Sequence, residues 1–92
     1  MEELEIVVDH PAGLHLRPAA MFVQTAASFD ADIRVRNVTR DTAFKNAKSS
    51  LDVMSLQVSE GNTIAITAEG EDAGEAMDAL RGLVEGGFTK EE

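Results

Sequence analysis

Two kinds of hydrophobic spacing alternate along this chain, and their order restricts the folds available to it. Apolar residues that repeat every second position predict strands, whereas apolar residues spaced by three and four predict amphipathic helices. The strand pattern occurs around Leu4–Val8, Ile33–Val35 and Ile64–Ile66. The helix pattern occurs over Leu16–Ser28 and over Ala73–Val84, where Gly86 and Gly87 end it. Both long helices need a surface that buries their apolar faces, so the strands are expected to form a sheet beneath them.

The connecting segments supply two further elements. A turn near residues 37–41 leads into a short third strand around Thr42–Lys45, and residues 49–58 read as a short helix. Ser49 followed by Asp52 resembles a capping box at the start of that helix. The predicted order is β-α-β-β-α-β-α. We therefore expect an α+β open-faced β-sandwich, in which a four-stranded antiparallel sheet carries three helices on one face.

Composition narrows the classes of function. The 92 residues are expected to form one domain spanning 1–92, and 17 acidic against 8 basic residues give a net charge of −9. This balance argues against nucleic-acid binding, and no apolar run is long enough for membrane insertion. The amino terminus is acidic and cysteine is absent, so we expect a cytoplasmic protein with no metal site and no cofactor.

The segment from Gly13 to Ala20, with the sequence GLHLRPAA, is the part of the chain with the clearest chemical potential. It places the imidazole of His15 at the entrance to the first helix and the guanidinium of Arg17 two residues later. A helix N-terminus carries unpaired amides and a partial positive charge, so the amides of Leu16 and Arg17 are predicted to bind a phosphoryl group. The same positive end favours a neutral, nucleophilic imidazole. A solvated histidine before a helix has this spacing too, and the spacing alone does not separate the two.

This segment resembles the active-site signature of the HPr family, the phosphocarrier proteins of the phosphoenolpyruvate-dependent sugar phosphotransferase system. The resemblance extends from about Leu4 to Val84 and implies an HPr-like fold with the order predicted above. Three further stretches match, at residues 22–26, 48–56 and 64–70.

The resemblance implies a carrier and not an enzyme. His15 would accept phosphate on Nδ1 from enzyme I and donate it to the A domain of a sugar-specific enzyme II, and Arg17 would stabilise the phosphate. It also implies that the chain is a monomer. In many Gram-positive members the serine at the position of Ser49 is phosphorylated by a dedicated kinase, which adds a serine kinase, a phosphatase and a transcription regulator as further partners. A helix N-cap explains Ser49 equally well.

Apolar residues near the predicted site suggest a partner surface. Leu16 and Ala20 lie at the helix entrance, and Leu51 and Met54 lie on the short helix, at positions that the core does not require. We expect these four residues to form a docking patch.

Two alternatives remain at this stage. One is a carrier in a nitrogen-regulatory or dihydroxyacetone-kinase phosphorelay, with the same chemistry and another acceptor. The other is an HPr-like regulatory binding module that engages a transcription factor or an enzyme through the same face. The presence of both His15 and Arg17 favours a role in phosphoryl transfer, because docking to a partner requires neither residue.

Overall fold

A computed structural model describes residues 1–88, and its elements follow the predicted order. Four strands and three helices alternate as β-α-β-β-α-β-α, which confirms the fold class inferred from hydrophobic spacing. Their bounds are β1 Glu2–Val7, α1 Leu16–Ala27, β2 Asp32–Asn37, β3 Lys45–Asn46, α2 Ser50–Ser55, β4 Thr63–Glu69 and α3 Ala73–Glu85.

The four strands form one antiparallel sheet in the order β1-β4-β2-β3. The last strand in the chain therefore lies between the first two, and its inward residues meet apolar residues on both sides. Ile66, for example, is paired with Leu4 on β1 and with Val35 on β2. Because side chains alternate across a strand, this register sends one set of side chains to the core and the other set to the open face.

The core lies between the inner face of the sheet and the helices. α3 packs against β1 and β4, while α1 packs against α2 and α3. Burial of the apolar stripes removes their surface from water, at roughly 25 cal/mol for each Å². The largest fully buried apolar side chains are Phe22, Leu14, Ile33, Leu56, Ile64, Ile66 and Leu80. Within residues 1–88, every helix is too short or too polar to cross a lipid bilayer.

The two shortest elements differ from their predicted bounds. β3 comprises only Lys45–Asn46, at the end of the predicted strand segment, and α2 ends at Ser55 instead of continuing to Val58. Gln57 has a positive φ of 53°, which carries the chain out of the helix. Sequence periodicity did not indicate this reversal, because Gln57 is not a residue that usually occupies the left-handed region.

The predicted capping box at α2 forms only in part. Ser49 Oγ accepts a hydrogen bond from the Asp52 amide at 3.2 Å, as expected of an N-cap. The Asp52 carboxylate does not complete the reciprocal bond. It accepts from the amide of Asn46 at 3.4 Å, while the Ser49 amide donates to the Asn46 carbonyl. Asp52 therefore links the helix to β3.

Two polar side chains connect segments that are distant in sequence. The Asp72 carboxylate, just before α3, accepts hydrogen bonds from the amides of Asp30 and Ala31, each at 2.9 Å. The Asn37 amide group is fully buried and donates to the Leu56 carbonyl at 3.1 Å. Buried polar groups are costly unless they are paired, so the Asn37 contact stabilises the position of the segment after α2. The half-buried Asp72 links the loop after α1 to the start of α3.

Candidate functional site

His15 occupies the N-cap position of α1, as the sequence predicts. Its backbone is extended, with φ −123° and ψ 155°, and its side chain makes no capping hydrogen bond. The imidazole is half-buried and remains available for other chemistry. The next residue, Leu16, has a positive φ of 53° and is 80% exposed. A left-handed conformation is strained for leucine, and such strain is often found at functional sites.

The backbone on the N-terminal side of His15 is held against the segment that follows α2. Gly13 has φ +61°, and a Cβ atom at this position would lie only 2.1 Å from the Val58 carbonyl oxygen. Leu14 then donates its amide to that same oxygen at 3.1 Å and buries its side chain completely. The glycine of the motif is therefore required for both its dihedral angle and its missing side chain. This close approach fixes the direction in which the chain enters α1.

His10 contributes to the same loop, in a way that the sequence interpretation missed. Its carbonyl accepts from the Gly13 amide at 2.8 Å, and its Nδ1 accepts from the Ala12 amide at 3.0 Å. The ring also meets Phe88 edge-on, with the centroids 5.8 Å apart. Histidine is an uncommon side-chain acceptor for its own turn, so sequence offered no signal for this contact.

The N-terminus of α1 is electrostatically open to an anion. The amides of Leu16 and Arg17 find no acceptor within residues 1–88, and the first turn contains no acidic residue. Pro18 is buried in that turn, where its missing N–H leaves no donor unsatisfied. The Arg17 side chain is exposed. Two unpaired amides and the positive end of the helix dipole thus lie at the entrance where His15 is found, and the exposed Arg17 is two residues further along the chain.

Ser49 lies at the start of α2, on a different element from His15. It is half-buried, and its hydroxyl oxygen is already engaged by the Asp52 amide. The neighbouring Lys48 extends away from this position, and its Nζ donates to the Phe29 carbonyl at 2.7 Å. Ser49 is therefore an N-cap in the structure.

All four residues of the predicted docking patch are exposed. Leu16 and Ala20 lie one turn apart on α1, and Leu51 and Met54 lie on successive turns of α2, which packs against α1. Leu51 is 76% exposed and Met54 is 39% exposed. Large apolar side chains that are exposed on two adjacent helices are typical of a surface that contacts another protein.

Comparison with known proteins identifies the family. Residues 2–86 match the family described as PTS HPr component phosphorylation site. The chain is 41% identical over 85 residues to the HPr-like protein Crh of Halalkalibacterium halodurans, covering 92% of this chain and 98% of that protein. It also matches multiphosphoryl transfer proteins, of which it spans less than one fifth of the length.

Solved structures agree with this family in fold and in sequence. HPr-C-His from Thermoanaerobacter tengcongensis superposes with a TM-score of 0.92 at 46% identity, covering 100% of both chains. The phosphocarrier protein HPr from Bacillus anthracis superposes with a TM-score of 0.83 at 43% identity, covering 90% of this chain and 95% of that one. Members of the family carry phosphoryl groups and are not enzymes in their own right. The chain studied here, with its open-faced sandwich and its histidine at a helix entrance, belongs to the HPr family of phosphocarrier proteins.

Proposed function

We propose that this chain is a phosphoryl carrier of the phosphoenolpyruvate-dependent phosphotransferase system. His15 accepts the phosphoryl group from phosphorylated enzyme I and passes it to the A domain of a sugar-specific enzyme II. One observation carries the proposal: the His15 imidazole makes no capping bond at a helix entrance that has unpaired amides and no acid in its first turn. We propose a cytoplasmic location for this role and a single domain over residues 1–92.

The transfer itself needs only one bond to form and one to break at each step. The N–P bond of phosphorylated enzyme I breaks as a new N–P bond forms at the His15 imidazole, and in the second transfer that bond breaks as the enzyme II A domain forms its own bond to phosphorus. The amides of Leu16 and Arg17 and the Arg17 guanidinium would bind the phosphoryl oxygens. A helix N-terminus stabilises such an anion by about 0.3–2 kcal/mol. This modest stabilisation suits a carrier, because tight binding would hinder the onward step.

The docking patch supplies the contact with both partners. Exposed leucine and methionine side chains bind by burial of apolar area, and methionine adapts its shape to different surfaces. Because donor and acceptor must each present their reactive group to His15, they are expected to use the same patch in turn.

Ser49 is a proposed second modification site. A phosphate there would lie at the N-terminus of α2, where backbone amides can donate hydrogen bonds to an anion. The carboxylate of Asp52, in the same turn, would repel the phosphate. Phosphorylation would also convert the hydroxyl oxygen that now accepts from the Asp52 amide into an ester oxygen, and so change this capping hydrogen bond. A serine kinase, a phosphatase and a transcription regulator would be partners of that state.

Phosphorylation with enzyme I and phosphoenolpyruvate tests the main proposal. Intact mass spectrometry is expected to show one phosphoryl adduct that is lost in acid and absent from His15→Ala. His10→Ala is the matched control, because it removes the other histidine of the chain and leaves the proposed acceptor in place. An adduct that persists in His15→Ala, or a wild-type chain that stays unmodified by a competent enzyme I, would contradict the proposal.

A regulatory binding module is the second candidate. It is favoured by the 41% identity to the HPr-like protein Crh and by a similar solved structure described as the Bacillus subtilis catabolite repression HPr, at 39% identity. A chain with this role would bind its target with His15 unmodified. The nitrogen-regulatory and dihydroxyacetone-kinase relays share the His15 chemistry, so the identity of the protein that removes the phosphoryl group from His15 distinguishes them.

A further inference from the structure

Residues 10–13 form a turn whose last two residues both donate hydrogen bonds to the first. The Gly13 amide donates to the His10 carbonyl at 2.8 Å, and the Ala12 amide donates to His10 Nδ1 at 3.0 Å. The remaining residue of the turn, Pro11, has no amide hydrogen. His10 therefore supplies both acceptors on which this turn depends, one from its backbone and one from its ring.

The turn connects two segments that are held by other parts of the chain. Before it, Val8 donates its amide to the Asn62 carbonyl and accepts from the Gly61 amide, both at 2.8 Å. After it, Leu14 is buried and bonded to the Val58 carbonyl. The residue that follows Leu14 is the proposed phosphoryl acceptor. The conformation of the turn between these two attachments therefore affects how that acceptor enters α1.

Phe88 holds the His10 ring in place. It meets the imidazole edge-on, with the ring planes at 90° and the centroids 5.8 Å apart, which is a preferred geometry for aromatic pairs. Phe88 is itself buried, and its amide donates to the Leu83 carbonyl at 2.9 Å, at the end of α3. Because Nδ1 accepts a hydrogen bond, the hydrogen of the neutral ring is on Nε2. The imidazole thus links the core to the turn before α1.

We propose that His10 is a positioning residue for phosphoryl transfer, whose imidazole keeps the turn at residues 10–13 closed and so orients His15 at the start of α1. This inference rests on the proposed carrier function. Without the Nδ1 acceptor, the half-buried Ala12 amide loses its partner and the turn opens for part of the time. Only the fraction of molecules with a closed turn then presents His15 correctly, and the transfer rate falls by that fraction. His10 acts through the backbone, and His15 is the group that forms the bond to phosphorus.

Two substitutions of nearly equal shape test this role. Asparagine at position 10 keeps a side-chain oxygen that can accept from the amide two residues later, whereas leucine has no acceptor. Phosphorylation by enzyme I at increasing carrier concentration gives kcat and KM for each chain. The kcat of His10→Asn should stay within about twofold of the wild-type value. The kcat of His10→Leu should be about three- to tenfold lower, as expected for the loss of one hydrogen bond. KM should be similar in both variants, because the docking patch does not include His10.

Amide hydrogen exchange reports on the turn independently of phosphoryl transfer. The Ala12 amide should exchange slowly in the wild type and in His10→Asn, and faster in His10→Leu. Thermal melts check that both variants fold. Given sufficient time, every chain that retains His15 should carry one phosphoryl group, including His10→Ala. The substitutions at position 10 therefore change the rate of phosphorylation and not its final extent.

Equal kcat values for His10→Asn and His10→Leu would overturn the positioning role, whether both stay at the wild-type level or both fall. An increase in KM without a change in kcat would also overturn it, since His10 would then belong to the docking contact. Failure of enzyme I to modify the wild type is a different result. It would contradict the proposed function itself, and the positioning role with it.

Discussion

Gly13→Ala tests two reasons why the structure requires glycine at this position, the backbone dihedral angle and the space available for a side chain. The first reason is the positive φ of 61°, which costs a residue with a side chain about 1–2 kcal/mol. The second reason is that no room exists for a Cβ atom. The new Cβ would lie 2.1 Å from the Val58 carbonyl oxygen and 2.9 Å from Ser59 Cα, and all of the nearest atoms are backbone.

Relief of that overlap requires the loop before His15 to move away from Val58. The hydrogen bond from the Leu14 amide to the Val58 carbonyl, now 3.1 Å, would then lengthen or break, at a cost of about 0.5–1.5 kcal/mol. Together the two terms predict a loss of about 1.5–3.5 kcal/mol in the free energy of unfolding of Gly13→Ala. A domain of this size has about 5–14 kcal/mol available, so the variant should fold.

Gly87→Ala is the matched control. Gly87 has a similar φ of +71°, but nothing lies within 4 Å of the position of its added Cβ. Urea denaturation should therefore show a loss of only about 1–2 kcal/mol for this variant, from the dihedral angle alone. The rate of phosphorylation by enzyme I should fall in Gly13→Ala and stay near the wild-type rate in Gly87→Ala. Equal stability losses in the two variants would refute the argument that Val58 excludes a side chain at position 13.

Three further substitutions test contacts that position the site or stabilise the fold. Asp72→Ala leaves the amides of Asp30 and Ala31 without their carboxylate, so urea denaturation should show a loss of about 1.5–3 kcal/mol, with a smaller loss for Asp72→Asn. Leu16→Gly removes a side chain from a left-handed position and should raise the free energy of unfolding by about 1 kcal/mol; a decrease would show that this backbone is not strained. Asn37→Ala removes a fully buried amide group and should lower the thermal midpoint, with a loss of about 2–3 kcal/mol. An unchanged midpoint would mean that water replaces the amide.

Features that depend on neighbours in the chain could be predicted from sequence. Strand alternation and helical stripes indicated the order of the seven elements, because each pattern is completed within one short segment. The position of His15 at the start of α1 followed from the same local logic, with Pro18 acceptable only in the first turn of a helix. The fold class was thereby accessible before any coordinates, and the family was indicated by the resemblance of residues 13–20 to the HPr signature.

Features that depend on contacts between distant segments were decided by the tertiary structure. The Val58 carbonyl that fixes the loop before His15 is more than forty positions away from Gly13. The alignment of Leu4 with Val35 exists only because β4 pairs with both β1 and β2. β3 and α2 are too short for hydrophobic spacing to define where they end, so their ends were set by Gln57 and by the hydrogen bond from Asn46 to Asp52. Local sequence determines which segments are helices and strands, whereas register and close approach arise only when those segments pack together.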